Sequence, residues 1–543
     1  MRTKRRALIA ARRLLALAVG LAALAIPAVA QAAGDLDPSF DGDGKVTTDF
    51  LGSIDASEAM AIQPDGKIVA AGRAFNGSHY DFALARYLSD GSLDATFDGD
   101  GKVTTDVGPF HDLATAVAIQ ADGKIVAVGQ VGGASFNFGL TRYMSDGNLD
   151  TTFDGDGKVV TDFVSNSEDT AFAVAIQADG KIVVAGYSIG QSGPGGYNFA
   201  LARYNTDGSL DTTFDGDGKL TTDFDGFDDG ALAVAVQADG KIVAAGSSIA
   251  SAVFALARYN PNGSLDATFD GDGKVTTDVG STGFESAEAI VLQTDGKVVA
   301  AGKTNNDFAL ARYNTDGSLD STFAGDGTVL TGFFPGSDDA AFSLVLQADN
   351  KLVAAGSSDS DFALARYTTD GALDASFDGD GKVVTDIAAG SQDVAYSLAL
   401  QSDGKLVAAG ASNADFAVAR YLQISPKTYA FTGFFSPVNN LPTMNSVNGG
   451  RAVPVKFSLG GDQGLDIFEA GYPRSQQIAC DSTAPVDGIE ETVAAGGSSL
   501  SYDPATDQYT YVWKTDKAWA GTCRQLVLKL DDGSVHRANF KLK

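Results

Sequence analysis

Pairs of aspartates recur two residues apart in a phrase, FDGDGK, that returns along much of the chain. Carboxylates at alternate positions beside a glycine are typical of calcium loops, and a hydroxyl such as that of Thr96 or Thr104 offers a further oxygen. The phrase lacks the third acid and the bidentate carboxylate that close a strong calcium site. The alternative is that each Asp-Gly pair only shapes a turn, because aspartate binds its own backbone and glycine adopts positive φ. The candidate calcium ligands are Asp41, Asp43, Asp98, Asp100, Asp154, Asp156, Asp215, Asp217, Asp270, Asp272, Asp378 and Asp380.

A second set of acids stands eight residues before the glutamine that ends a repeated apolar strand. The set is Asp55, Asp112, Asp169, Asp229, Glu285, Asp339 and Asp393. If this strand is the innermost one of each repeat, the carboxylates ring the entrance of a central channel and are candidate ligands for a cation or a polar molecule. The alternative is that each acid tethers its loop to a neighbouring repeat. Uniformity over seven copies favours the tether, since a scaffold needs such repetition and an active site does not.

Recognisable catalytic motifs are missing from the sequence. The three histidines, His79, His111 and His536, are too few and too scattered to predict a zinc site or a catalytic triad. No nucleophile elbow, phosphate-binding loop or metalloprotease motif occurs. We therefore assign no catalytic residue. Paired acids leave the hydrolysis or lytic cleavage of glycans as an alternative.

The element that carries these acids is a block of about 55 residues, present in seven copies. Alternation of apolar residues predicts four short strands in each copy, and the Asp122-Gly123 turn predicts a tight hairpin between the first two. Four antiparallel strands at this period are typical of a propeller blade. In the second copy the predicted strands are Ala114 to Gln120, Lys124 to Gly129, Phe138 to Tyr143 and Lys158 to Asp162.

The phase of the repeats predicts a closed ring. The array begins at Leu36 to Asp49 with only the last strand of a repeat, and it finishes at Phe416 to Tyr421 with a third strand that lacks its fourth. Pairing of these two ends completes a seventh blade and removes two exposed sheet edges. We predict an all-β chain with a seven-bladed β-propeller over residues 34–423, whose closing blade is shared by the two ends of the array.

Three phrases of the repeat, QADGKIVAAG, DFALARY and DGSLDATFDGDGKVTTD, resemble the delta-60 repeat of bacterial secreted and surface proteins. The resemblance covers about Gly34 to Tyr421. It implies the repeat unit and an exported protein, and it implies no defined activity.

A different pattern begins after Gln423. The phrases VPVKF, from Val453 to Phe457, and WAGTC, from Trp519 to Cys523, resemble the PxKF domain at the C-termini of exported bacterial proteins. The resemblance implies a small immunoglobulin-like β-sandwich over residues 427–543. Cys480 and Cys523 are the only cysteines of the chain, and in an oxidising compartment we expect them to form a disulfide.

The N-terminus has the pattern of a secretory signal. Six basic residues up to Arg13 precede an apolar run, Leu14 to Ala28, and Ala28-Val29-Ala30 is a cleavage site, so residues 1–30 are predicted to be removed. No other stretch approaches the apolar length of a membrane span. The formal net charge is −30, from 39 basic and 69 acidic residues, which argues against nucleic acid or an anionic membrane as partner.

We predict a secreted or cell-surface, non-enzymatic binding or scaffold protein, monomeric, whose partner is a glycan or a protein at the cell surface. Binding is expected on the face where the copies differ, because variable loops on a rigid scaffold carry function. The alternatives are a carbohydrate-active enzyme that uses acids at the channel mouth and a calcium-stabilised structural protein. Candidate residues of the variable face are His79, Tyr80, Phe110, His111, Tyr197, Phe227, Phe284, Phe333 and Phe334.

Overall fold

The structure is a computed structural model, and it describes most of the chain after residue 31. The described residues are 32–165, 167–189, 196–224, 226–248, 252–280, 283–304, 306–423, 429–465, 467–468, 472–481, 490–491, 493–494, 500–530 and 534–543. The predicted signal peptide, residues 1–30, lies outside them. Two compact units result, one spanning Ala32–Ser425 and one that includes Pro426–Lys543. Within the described ranges no helix has the length and apolar character to cross a membrane.

Seven four-stranded antiparallel sheets make up the first unit, and each is one blade with strands A to D. The A strands are β2 Asp55–Ile62, β6 Asp112–Ile119, β10 Asp169–Ile176, β14 Asp229–Val236, β18 Glu285–Leu292, β22 Asp339–Leu346 and β26 Asp393–Leu400. The B strands are β3 Ile68–Phe75, β7 Ile125–Gly132, β11 Ile182–Ile189, β15 Ile242–Ser248, β19 Val298–Thr304, β23 Leu352–Ser358 and β27 Leu406–Ser412. The C strands are β4 Tyr80–Tyr87, β8 Phe136–Tyr143, β12 Tyr197–Tyr204, β16 Val253–Tyr259, β20 Asp307–Tyr313, β24 Asp361–Tyr367 and β28 Asp415–Tyr421. The D strands are β1 Lys45–Thr48, β5 Lys102–Thr105, β9 Lys158–Thr161, β13 Lys219–Thr222, β17 Lys274–Thr277, β21 Thr328–Thr331 and β25 Lys382–Thr385.

The predicted closure of the ring is confirmed. Strand β1 pairs antiparallel with β28, so the first strand of the chain completes the sheet β1-β28-β27-β26. Every A strand also contacts the A strands of both neighbouring blades, which makes the A strands the innermost layer. The A–D order of each sheet then places the D–A and B–C connections on one face of the ring and the A–B and C–D connections on the other.

The core lies between neighbouring blades. The B and C strands are apolar over most of their length and are almost fully buried, and their many alanines allow the sheets to pack closely. Each C strand ends in a buried tyrosine whose hydroxyl donates to a threonine of the preceding blade, as Tyr87 does to Thr48 at 2.8 Å. These bonds recur in all seven blades, so each of these buried phenol hydroxyls has a hydrogen-bond partner.

An arginine–aspartate pair joins each blade to the next. Arg86 Nε lies 2.8 Å from Asp94 Oδ2, and its Nη1 donates to the main-chain oxygen of Ser145 in the following blade. Burial would raise the pKa of Asp94, but hydrogen bonds from Thr96 and the charges of Lys67 and Arg86 outweigh burial and hold it far below its usual range. The pair is present in every blade, where one aspartate oxygen faces the arginine and the other accepts from the neighbouring hydroxyl.

The second described unit consists of two five-stranded sheets. Its strands are β29 Phe434–Phe435, β30 Met444–Val447, β31 Ala452–Phe457, β32 Arg474–Ile478, β33 Glu490–Glu491, β34 Val493–Ala494, β35 Leu500–Asp503, β36 Gln508–Lys514, β37 Cys523–Lys529 and β38 Val535–Leu542, with a short 3-10 helix at Lys517–Trp519. Apolar side chains of both sheets, among them Trp513 and Phe540, form one buried cluster. The expected disulfide joins Cys480 to Cys523.

Candidate functional site

The FDGDGK phrases form solvent-exposed turns. Asp98 has a φ of 50°, and the Asp100 carboxylate accepts from the main-chain N–H of Lys102 at 2.9 Å. In the sixth copy Ala324 occupies the first position with a φ of 52°, so the same turn forms without that acid. Within the described ranges, no group of three potential metal ligands includes a turn acid. This geometry favours the turn-shaping interpretation of these aspartates over a calcium site.

The ring acids occupy the first position of each A strand and are almost fully buried. Asp112 accepts from the N–H groups of Val107 and Gly108, each at 2.8 Å, and from Gly132 at 3.0 Å. Burial raises the pKa of Asp112, and these amides oppose the rise. Each of the other six acids likewise accepts a main-chain N–H from the connection that enters its blade, at 2.7 or 2.8 Å. The geometry favours the tether interpretation for all seven, with each acid holding a D–A connection.

Two of the ring acids also lie within groups of three carboxylates at blade junctions. One group contains Asp49, Asp55 and Asp415, and its ligand atoms lie within 4.8 Å of one another. The other contains the corresponding residues of the preceding junction, Asp361, Asp386 and Asp393. Burial first, and then the neighbouring carboxylates, raise the pKa of Asp415 and of Asp361. In each of these two groups the A strand thus contributes one carboxylate, and the ends of the C and D strands of the preceding blade contribute the other two.

A β-bulge interrupts every A strand three residues after its acid. In the first blade Ser57 pairs with Gly72 and Ala59 with Ala71, which leaves Glu58 unpaired. The glycine opposite is required by close approach, since a Cβ on Gly72 would lie 1.9 Å from the main-chain oxygen of Ala56. The corresponding glycines of the other blades are equally crowded, at Gly129, Gly186, Gly246, Gly302, Gly356 and Gly410. The repeated glycine of the B strand therefore permits a bulge that re-aims one side chain in each blade.

The bulged side chains differ from blade to blade although their backbone setting is the same. They are Glu58, Thr115, Phe172, Leu232, Glu288, Phe342 and Tyr396. All seven are half-buried. Because they belong to the innermost strands near the ends where the D–A connections enter, they form a chemically varied inner ring toward the face of the variable loops.

The inner ring has an aromatic and charged side formed by blades five, six, seven and one. The rings of Phe342 and Tyr396 lie 5.3 Å apart, and Lys303 Nζ lies 5.9 Å from the centre of Phe342. Beyond Tyr396, Arg73 Nη1 lies 2.7 Å from Glu58 Oε1. Burial raises the pKa of Tyr396, and the charge of Glu58 raises it further. Aromatic faces beside a few polar groups are what pockets for small polar ligands contain.

Two carboxyl groups of the inner ring have perturbed acidity. Burial raises the pKa of Glu58, and the charge of Arg73 opposes the rise. Burial likewise raises the pKa of Glu288, against a hydrogen bond from Ser286 and the charge of Lys303. Such carboxyls can donate a proton or a hydrogen bond closer to neutral pH than an ordinary glutamate.

The loop face carries exposed phenylalanines in four of its D–A connections. They are Phe110, Phe227, Phe284 and Phe334, whose exposed fractions are 57%, 61%, 44% and 53%. Phe333 is a correction to the predicted surface set, because only 7% of it is exposed and it packs on Phe308 in the core between blades. Exposed aromatics gathered on one face mark a candidate interaction surface.

Several clefts lie on the opposite face. They have volumes of about 350 to about 700 Å³ and lie between neighbouring A–B and C–D connections. Their linings repeat the same residues, such as Gln177, Lys181 and Arg203 in one and Gln293, Lys297 and Arg312 in another. Clefts whose linings do not differ between copies follow from the repeat itself and do not indicate a specific ligand.

Sequence reasoning missed the bulged positions. A signal was present, because the residue three after each acid changes chemical class from copy to copy inside an otherwise repeated strand. The strand assignment hid it, since regular alternation places that residue in the ladder and only the register shift frees it.

Comparisons with known proteins agree with the architecture. Seven segments match a family described as a β-propeller domain of unknown function (DUF5122), at residues 63–97, 120–153, 177–214, 237–269, 293–323, 347–377 and 401–423. These seven matches are consistent with a β-propeller built from repeats. A search of curated proteins finds no match.

Several solved structures resemble the fold at low identity. A polysaccharide lyase, the PL25 ulvan lyase bound to -[GlcA(1-4)Rha3S]-, is 11% identical with a TM-score of 0.37, covering 70% of this chain and 96% of its own. A glucose dehydrogenase is 13% identical with a TM-score of 0.35, covering 56% and 94%. A subtype N10 neuraminidase-like protein of A/little yellow-shouldered bat/Guatemala/060/2010 is 8% identical with a TM-score of 0.30, covering 70% of this chain and 98% of its own. At these values the similarities carry no argument about the function of this chain.

Proposed function

We propose that this chain is an exported binding scaffold whose propeller holds a glycan, or a carbohydrate-bearing surface, against the inner ring and the loop face. The observation that carries the proposal is the inner ring itself. Seven side chains in one backbone setting have diverged to two acids, a hydroxyl, an aliphatic group and three aromatics, while the contacts around them repeat. Residues that repeat in every blade serve the scaffold, so side chains that differ at the bulged position indicate contact with a ligand.

The chemistry of the inner ring favours a sugar. Phe342 and Tyr396 offer adjacent aromatic faces, on which the apolar C–H face of a pyranose can stack. The Glu58–Arg73 pair and Lys303 offer hydrogen-bonding groups for hydroxyls at both sides of these rings. A protein partner would instead require the outer phenylalanines, and the variants below separate these outcomes.

Export and attachment belong to the same proposal. The N-terminal signal pattern and the disulfide Cys480–Cys523 support an oxidising, extracellular location. The two-sheet C-terminal unit is proposed to be an immunoglobulin-like module of the PxKF type, which serves attachment, and the repeats are proposed to be of the delta-60 type. The expected partners exclude nucleic acid because the chain is strongly acidic.

The test is binding of the mature, tag-free chain to an array of glycans and cell-envelope polysaccharides. The double variant Phe342→Ala/Tyr396→Ala should weaken binding at least tenfold, which corresponds to about 1.4 kcal/mol and lies within the value of two aromatic contacts. Leu232→Ala is the matched control, since it truncates a bulged side chain outside the aromatic and charged side. Its binding should stay within a factor of three.

Two results would contradict the glycan proposal. One is a lack of selective binding to any glycan on the array, and the other is an equal loss of affinity in the double variant and in Leu232→Ala. If binding depends instead on Phe110 and Phe227, the ligand engages the outer loop face and is better sought among proteins.

A second candidate function is cleavage of the bound polysaccharide. Burial raises the pKa of Glu58 and of Glu288, and a glycosidase uses a carboxyl group with a raised pKa as its general acid. Product release from any glycan that binds on the array, lost in Glu58→Gln or Glu288→Gln while affinity persists, would establish an enzyme. Unchanged polymer after prolonged incubation would leave binding alone.

A further inference from the structure

A histidine joins two aspartates at the loop-face end of the first blade. His79 lies in the B–C connection, Asp81 near the start of β4, and Asp106 directly after β5. One ligand atom from each lies within 4.8 Å of the others. His79 Nε2 and Asp81 Oδ1 are 3.1 Å apart. Three side chains from two connections thus converge on one point.

Two buried atoms of this group face each other and have no other hydrogen-bond partner in the described part of the chain. They are His79 Nε2 and Asp81 Oδ1, and Asp81 is only 7% exposed. At this distance either an N–H of the imidazole donates to the carboxylate, or both atoms face a bound cation.

The local geometry is that of a held ligand set. Asn76 Nδ2 donates to the second oxygen of Asp81 at 2.9 Å, and Asn76 Oδ1 accepts from the N–H groups of Ser78 and His79 at 2.9 and 3.1 Å. One asparagine therefore fixes the carboxylate and the turn that carries the imidazole. Hydrogen bonds that orient the ligands in this way are characteristic of metal centres in proteins.

The separation of the two atoms fits a small cation. Zinc takes nitrogen and oxygen ligands at about 2.0 to 2.2 Å in tetrahedral arrangement, which places neighbouring ligands roughly 3.3 Å apart. The observed 3.1 Å is close to that value. Calcium prefers six or more oxygens at longer distances, and an imidazole is not among its usual ligands.

We propose that His79, Asp81 and Asp106 bind a divalent transition-metal ion, with zinc as its representative. Asp106 is exposed, so three protein ligands leave a coordination position open to water or to a ligand at the loop face. The junction of Asp361, Asp386 and Asp393 occupies the corresponding place in another blade without an imidazole, and it serves as the internal comparison. The proposal is independent of the glycan site.

The experiment is zinc binding to the full, tag-free mature chain after removal of metals, followed by calorimetry and by the visible absorption of bound cobalt. The wild-type chain should bind one zinc ion per chain at the His79 group, with cobalt bands of a four-coordinate site. His79→Ala and Asp81→Asn should each weaken that binding at least tenfold. The controls Asp361→Asn and His536→Ala should bind as the wild type does, and thermal unfolding of every apo variant checks that it is folded.

Three outcomes would overturn the proposal. Zinc binding that survives in His79→Ala would place the ion elsewhere, and displacement of zinc by an equal concentration of calcium would contradict the assigned class of cation. A wild-type chain that binds no stoichiometric zinc would show that His79 and Asp81 form only a contact between side chains.

Discussion

A buried ion pair of Asp37 links the two ends of the propeller, and the substitution Asp37→Asn would break it. Arg420 Nε lies 2.9 Å from Asp37 Oδ2, and Lys405 Nζ lies 3.1 Å from the same oxygen. Asp37 is 4% exposed, so Asp37→Asn leaves two cations beside a neutral amide in a buried place. Removing one partner of a buried ion pair costs about 3–5 kcal/mol.

The first blade offers a matched control for this substitution. Asp94→Asn removes the same charge from the same arrangement around Arg86 and Lys67. The two pairs differ in chain connectivity, since Asp94 is eight residues from its arginine and Asp37 is 383 residues from its own. The two substitutions should therefore cost a similar free energy locally, but each should destabilise a different part of the ring.

The assay is hydrogen exchange measured by mass spectrometry at neutral pH. Asp37→Asn should lower the opening free energy of β1 and β28 by about 3–5 kcal/mol, which speeds exchange there by about a hundredfold or more. Asp94→Asn should act on its own blade and leave β1 and β28 protected. Unchanged exchange of β1 and β28 in Asp37→Asn, with the expected loss in Asp94→Asn, would refute the assignment of closure to this pair.

Three further outcomes are expected. Asp100→Asn should unfold at the wild-type temperature with or without calcium, because the amide oxygen can still accept from the N–H of Lys102. Asp100→Ala should lower the free energy of unfolding measured in urea by about 0.5–1.5 kcal/mol. An equal loss of stability in both variants that added calcium reverses would instead indicate a metal site. Reduction of Cys480–Cys523, which closes a loop of 43 residues, should destabilise the C-terminal unit by about 4 kcal/mol in calorimetry, and an unchanged melting temperature would contradict this. The seven aspartates paired with arginine have a lowered pKa in the folded chain, so they stabilise it above about pH 3.9. The urea concentration at the unfolding midpoint should therefore fall as the pH drops below that value. A midpoint that stays constant down to about pH 2 would contradict the pairing.

The opposite sign applies to the buried A-strand acids. Burial raises the pKa of Asp55, Asp112 and Asp169 in the folded chain, so these groups destabilise it above their usual pKa and are relieved as pH falls. The stability that these acids regain at low pH offsets part of the stability that the arginine–aspartate pairs lose there. Because six of the pair aspartates have a pKa far below the usual range, we expect the net effect of acid to remain destabilising.

The sequence by itself determined the architecture. The repeat has seven copies, and the array begins with a lone last strand and ends with three strands that lack a fourth. One closed arrangement fits this pattern, in which β1 pairs with β28. The Asp-Gly turns were also visible, because each depends on residues close in sequence. Local chemistry repeated many times is read reliably from the chain.

Tertiary structure decided which side chains are presented. The bulge that frees Glu58 arises from the approach of Ala56 to Gly72 on another strand, and no spacing within the A strand encodes it. Phe333 and Phe334 are neighbours in sequence, yet one packs in the core and the other lies exposed. His79, Asp81 and Asp106 meet only because β4 and β5 pair. Strand pairing joins residues that are distant in sequence, and its register determines which atoms meet.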